Sequence, residues 1–368
     1  EKAVKTAKET AEKVEQTVKS AAEKAEKTVQ ETAKKTKELY SPPMKRFKRI
    51  FQNLCHPAGI IGTLIALAIP FLVYLGPNVG AKDTIRILDL KLPFPLFLVQ
   101  LAAGFFLFSL LFKDFWAYLK KHFPPLPYLI LVSVFALFAT IFAGTQIEAR
   151  HRVQSDESVF MAIAQNMYFN QTTGTCDEGE FQNGTLDCYR NSDSFKTKGL
   201  SFLYLLGMPF FGPNLHWIFH AELAMLFFAA LLLFFAIRAW TEDDLLSALS
   251  SIILFAQPTV LFQFRSMSVE PLYIFLSALS LWVFKWAFDR NTCRHWTLAA
   301  IILAFFAQTR QETVFCLAAF LAVALPKILD RKDSKAPAFF VTLSFFSVPV
   351  LLTISYFQGY GFQGGTYS

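Results

Sequence analysis

LPYLILVSVFALFATIFAGTQ, residues 126–146, carries no charged side chain along its whole length. A lipid hydrocarbon core is about 30 Å thick, and crossing it as a helix takes about 20 apolar residues. Lipid offers no partner to exposed backbone N–H and C=O groups, so a stretch of this kind must be a helix. Similar runs fall on both sides of it, at approximately 58–78, 93–112, 216–238, 246–263 and 270–288. A broken pair follows across 297–325, and a last run covers 338–356. Over the chain 54% of residues are hydrophobic, gathered in blocks rather than in alternation, which argues against a soluble globular class. The expected fold class is all-α: a polytopic transmembrane helical bundle with a large outward loop region and an N-terminal cytoplasmic helical tail.

Charge gives the bundle a direction. The net charge is +7, but no basic stripe interleaves with stacking aromatics on a soluble fold, so nucleic acid is not an expected partner. The cations instead gather in Met44–Lys48, Lys113–Lys121, Lys285–Arg294 and Lys327–Lys335. Alternating spans put all four on one side, which the positive-inside rule makes cytoplasmic. The loop 147–213 then faces outward, to periplasm, lumen or exterior. The expected location is a plasma or inner membrane, or the endoplasmic reticulum of a eukaryote. Cys176 and Cys188 both lie in this loop and are disulfide candidates, two free thiols being the other reading. Asn170-Gln-Thr and Asn183-Gly-Thr match the glycosylation acceptor pattern, which suits an external loop.

Three regions follow. Residues 1–43 are a Lys/Glu/Ala-rich tail in which Val4, Ala7, Ala11, Val14, Val18, Ala21 and Ala25 make one thin helical seam. A solvated cytoplasmic tail, helical or disordered, is expected there, and its composition resembles late-embryogenesis-abundant-like repeats. Residues 44–125 hold two membrane spans and a basic loop. Residues 126–368 form the main membrane domain. The chain opens on Glu and stops at GFQGGTYS after an outward-going span, which reads as a piece of a longer protein.

Ionisable groups at membrane depth are costly, so each is a functional hypothesis. Glu148, Arg150, Asp156, Glu157, Glu222, Arg265, Glu270, Arg310 and Glu312 come from separate segments, yet the alternation places all of them in the outer half. The expectation is an outward polar cavity lined by both signs of charge. In RVQSDESVF, residues 152–160, Asp156 and Glu157 admit two readings. They are acids in the first turn of a helix capped by Ser155, or Asp156 is a general base that takes a proton from an attacking hydroxyl or amine. The sequence calls for no certain cofactor and leaves room for a divalent metal ion at that carboxylate. Arg310 in AQTRQETVF sits between two half-length apolar segments, a place for an anionic ligand or for a structural pair with Glu270 or Glu312. Glu270 before Pro271 is also an ordinary helix-start acid. Lys196 and Lys198 precede GLSFLYLLGMPFFG, residues 199–212, a short apolar segment expected to lie along the membrane. His216 and His220 share a helix face near Glu222, a possible metal face, but no HExxH motif accompanies them, and hydrogen-bonded interfacial histidines are the commoner reading. The absence of P-loop, GxGxxG, GxSxG and CxxC patterns sets aside ATP-driven, dinucleotide and common serine-hydrolase chemistry.

SDESVFMAIAQNM at 155–167, KTKGLSFLYLLGMPFFG at 196–212, RSMSVEPLYIFLSALSLW at 265–282 and FFAQTRQETVFCLAAF at 305–320 together resemble the polytopic GT-C glycosyltransferases, of the protein O-mannosyltransferase and aminoarabinose transferase type (glycosyltransferase family 39-like). The resemblance covers about residues 126–356. It implies a membrane glycosyltransferase that moves a sugar from a polyprenyl-phosphate donor to a protein, lipid or glycan acceptor on the outer side. Under it Asp156 is the catalytic base with Glu157 in support; with the outward charges Arg150, Arg265 and Glu270, Lys198 and Arg310 are expected to line the substrate site. Lys198 and Arg310 become the candidates for holding the lipid-linked phosphate. The chain departs from the family in two extra early spans and in Lys198-Gly199-Leu200 where Pro-Pro is usual. A different class, a lipid or solute transporter gated by the broken 297–325 pair, accounts for the same charges.

Overall fold

The computed structural model describes residues 82–149, 156–182, 185–192, 196–213, 216–310, 312–328 and 335–360. The expected tail 1–43, the span 58–78, Arg150 and Asn183 lie outside them. In chain order the helices are α1 (Lys82–Lys91), α2 (Pro93–Lys121), α3 (Leu126–Gln146) and α4 (Asp156–Asn170), followed by strands β1 (Thr175–Gln182) and β2 (Thr185–Ser192). Then come α5 (Gly199–Phe211), α6 (Trp217–Thr241), α7 (Asp244–Phe255), α8 (Pro258–Gln263) and α9 (Val269–Arg290). The last four are α10 (Cys293–Ala307), α11 (Thr313–Ile328), α12 (Lys335–Phe346) and α13 (Val348–Tyr360). Among the described residues α2, α3, α6 and α9 are long and apolar enough to cross a membrane.

Small side chains decide how the long helices meet. Val132, Ala136, Ala139 and Ala143 are buried on α3 at spacings of three and four, one stripe of the helix. The alanines share a core cluster with Leu226, Ala229 and Ala230 of α6. Lipid tails are as apolar as leucine, so close packing of small residues is what draws such helices together. The other face of α3 exposes Val134, Phe138 and Ile141, and α2 exposes Phe105 and Phe106. Only 22% of the apolar window of each of these two helices is buried, a degree of apolar exposure that suits lipid rather than water.

At the end where α2, α6 and α9 finish, polar groups fasten the helices to one another. Asp114 accepts from Arg290 Nε at 3.0 Å and Trp286 Nε1 at 3.2 Å, and its Oδ2 lies 2.9 Å from His295 Nε2. The Tyr118 hydroxyl donates to Asp289 at 2.8 Å, and Arg238 joins the His122 carbonyl to Asp244. The Lys327 ammonium stands 3.7 Å from the Phe288 ring. Arg290 and Lys327, from two of the basic clusters, thus share the end that carries Asp114, Tyr118 and Arg238.

Three expectations need correcting. The run 246–263 is two helices, because Gln257 is extended ahead of Pro258 and a residue before proline avoids the helical region. The run 338–356 likewise breaks at Ser347, two residues before Pro349, whose ring supplies no N–H to a continuing helix. The outward loop is not all-α either: β1 and β2 pair antiparallel, with Gly179 opposite Cys188 and Phe181 opposite Leu186. A disulfide joins Cys176 to Cys188 with Cα atoms 5.7 Å apart. This hairpin is docked on α4: Asn166 Nδ2 donates to Gly174 O at 2.9 Å, and Asn170 Nδ2 donates to Leu186 O at 3.1 Å.

Candidate functional site

Two turns in contact organise the loop end. The segment 197–199 leads into α5, and the segment 308–309 ends α10. Thr197 Oγ1 donates to Thr309 O at 2.6 Å, and Gly199 N donates to Gln308 O at 2.8 Å. A Cβ on Gly199 would stand 2.7 Å from that Gln308 oxygen, so only glycine permits the approach. Gly199→Ala is therefore expected to force the turns apart at a cost of about 1–3 kcal/mol. Thermal unfolding of the purified protein in detergent would register it as a lowered midpoint, and an unchanged midpoint would show that the turns move apart freely.

Lys198 and Arg310 emerge from these turns into different surroundings. The Lys198 side chain is 1% exposed, and its ammonium lies 3.5 Å from Asp89 on α1, whose side chain is equally buried. Asp89 Oδ1 also accepts from Thr353 Oγ1 at 3.3 Å, while Thr173 holds the Asp89 and Leu90 carbonyls. Beneath, Gln308 Nε2 donates to Gln100 Oε1 at 3.1 Å and to Phe346 O at 2.8 Å. Two helix breaks, at 308–312 and at Ser347, therefore face each other through one glutamine.

Arg310 is partly open, its side chain 37% exposed. Its Nη1 lies 3.1 Å from Glu270 Oε1 at the start of α9, and its Nε lies 3.3 Å from Glu312 Oε2. Arg265 donates from Nε to Ile147 O at 3.1 Å, with its guanidinium 5.8 Å from the Phe219 ring. Of Asp156 and Glu157 the backbone alone is described, and these are the first two residues of α4. That helix is pinned one turn later, where Ser201 Oγ of α5 donates to Phe160 O at 2.9 Å. Phe160, Leu200 and Tyr204 share a buried cluster with Leu272 near the start of α9 and Phe306 near the end of α10. The elements carrying Asp156, Lys198, Glu270 and Arg310 thus close over one apolar floor.

His216 and His220 are exposed, whereas Glu222 is buried and turned to the backbone of Met267, so the three do not converge. Among the described residues no group of three His, Cys, Asp or Glu side chains is placed to hold a metal ion. Asp89 escaped the reading of the sequence. Its signal was a lone acid inside ILDL, residues 87–90, but the partner that makes it tolerable lies far along the chain. No protein-family model, no curated protein and no solved structure matches this chain.

Proposed function

We propose that the chain is an integral membrane glycosyltransferase that moves a sugar from a polyprenyl-phosphate donor to a protein, lipid or glycan acceptor outside the cytoplasm. The observation that carries this reading is the half-open Arg310 guanidinium. It lies at a helix break, beside Glu270 and Glu312, where Phe306 of the preceding helix shares an apolar floor with Phe160 of α4. Held by Glu270, the Arg310 guanidinium suits recognition of a lipid-linked phosphate once the ligand takes the place of the more exposed Glu312. In the proposed displacement the acceptor O–H or N–H yields its proton to Asp156, and the acceptor atom bonds the anomeric carbon. The bond from that carbon to the phosphate oxygen breaks, and the lipid phosphate leaves with the electron pair, its charge met by Arg310.

The test is transfer of radiolabelled sugar from a panel of polyprenyl-phosphate donors in membranes carrying the full chain. Arg310→Gln is expected to raise the donor KM about 10-fold to 100-fold, the worth of a charge-assisted hydrogen bond or two. Wild-type membranes that consume no donor in a broad panel would overturn the reading. The facing breaks at 308–312 and Ser347 favour one second reading, an anion or lipid transporter whose discontinuous helices line the path. It predicts solute movement that stops when the two breaks are cross-linked, with no chemical product.

A further inference from the structure

Met267, in the turn between α8 and α9, is wholly buried and takes a φ of 54°. An L side chain is rarely found in this left-handed region and is strained when held there. Two side chains from other helices grip its peptide groups. The Tyr204 hydroxyl of α5 donates to Met267 O at 2.9 Å, and Glu222 Oε2 of α6 accepts from Met267 N at 3.2 Å. Glu222 is 1% exposed and shares its helix with buried Ile218, Phe219 and Leu226. A carboxylate is an expensive group to keep at such a position, and a backbone N–H gives it something to hold.

The grip falls midway between two charges of the candidate site. Two residues before Met267 stands Arg265, tied to Ile147 O. Three residues after it stands Glu270, paired with Arg310. Serine bonds stiffen the rest of the turn: Ser266 Oγ donates to Gln263 O at 2.9 Å, and Ser268 Oγ donates to Gln263 Oε1 at 3.0 Å. The torsion at Met267 is therefore the step that fixes where Glu270 emerges relative to Arg265.

We infer that Glu222 and Tyr204 are positioning residues of the outward site: they clamp Met267 in its left-handed conformation and so aim Glu270 at Arg310. The inference rests on the reading of Arg310 and Glu270 as the donor-binding pair. Glu222 itself touches neither donor nor acceptor, and its role needs an acceptor oxygen rather than a negative charge.

The experiment uses the full chain in nanodiscs and two readouts, hydrogen exchange over residues 265–270 and the donor KM and kcat for sugar transfer. Glu222→Ala is expected to speed exchange at Met267 about tenfold or more and to raise the donor KM by a similar factor, with kcat little changed. Glu222→Gln keeps an oxygen on the Met267 N–H and is expected to stay within about twofold of wild type on both readouts. Glycine reaches positive φ without strain, so in a Met267→Gly background the further change Glu222→Ala should alter KM less than about twofold. Normal exchange in Glu222→Ala would overturn the clamp. So would a Glu222→Gln enzyme as impaired as Glu222→Ala, since that outcome assigns the work to the charge. If no donor is consumed even by wild type, the functional reading fails, and the exchange data still decide whether Glu222 holds the turn.

Discussion

Asp89→Ala is expected to cost about 3–5 kcal/mol of stability. The substitution removes the carboxylate that lies 3.5 Å from the Lys198 ammonium, whose side chain is 1% exposed. Attraction within the pair does little more than offset the cost of drying both charges, so the penalty arises from removing one charge while its opposite stays buried. Replacing both with apolar side chains of similar bulk, Asp89→Leu with Lys198→Met, is expected to return most of the loss. Thermal unfolding in detergent, run on both single variants and the double variant, checks this. A double variant no more stable than either single one would mean that the pair is not the unit. The same proteins settle what Lys198 does for a ligand. If the double variant binds donor as wild type does, Lys198 is a keystone of the fold and Arg310 alone meets the phosphate. A donor KM about tenfold higher would show that Lys198 exchanges Asp89 for the ligand.

Apolar blocks were enough to read the long helices, since length and the absence of charge decide a span almost without context. Leu126–Gln146 coincides with its expected run, and the interruption around Arg310 falls where two half-length blocks had marked it. Local signals inside those blocks point the other way. Pro258 and Pro349 sit inside blocks apolar enough to read as continuous, yet a helix breaks at each, the first through the extended Gln257 ahead of Pro258 and the second where Pro349 supplies no N–H. Asn183-Gly184 matches both a glycosylation acceptor and the dipeptide that hairpin turns prefer, and two strands flank it. What no local signal carries is the pairing that makes a site. Asp89 with Lys198, Glu222 with the Met267 N–H and Tyr204 with the Met267 carbonyl join distant segments, and nothing around any one of them names its partner. The charges Arg310, Glu270 and Arg265 were legible because membrane depth makes any charge conspicuous; their neighbours were not.

Asp156→Asn is expected to lower kcat for sugar transfer about 10²-fold to 10⁴-fold, the usual worth of a general base, while the donor KM moves little. The rival account of this residue is a helix-start acid, and the two differ in what asparagine would do. Opposite the dipole of α4 a carboxylate contributes about 0.3–1 kcal/mol, so a helix-start role predicts a slightly less stable protein with transfer nearly intact. Loss of activity through loosening of α4 is not a third account. Ser201 holds Phe160 O within the second turn, and Asn166 and Asn170 fasten the far end to the hairpin, so the body of the helix stays docked when its first side chain is neutralised. Glu157→Gln serves as the internal comparison, because it removes a charge from the same turn without removing the proposed base. A steep kcat loss in Asp156→Asn beside a mild one in Glu157→Gln, at matched expression and unfolding temperature, isolates the Asp156 carboxylate as the proton acceptor. Equal transfer by both variants would return Asp156 to the start of its helix, and deprotonation of the acceptor would have to be assigned elsewhere, first to Glu270 or Glu312, which already stand at Arg310.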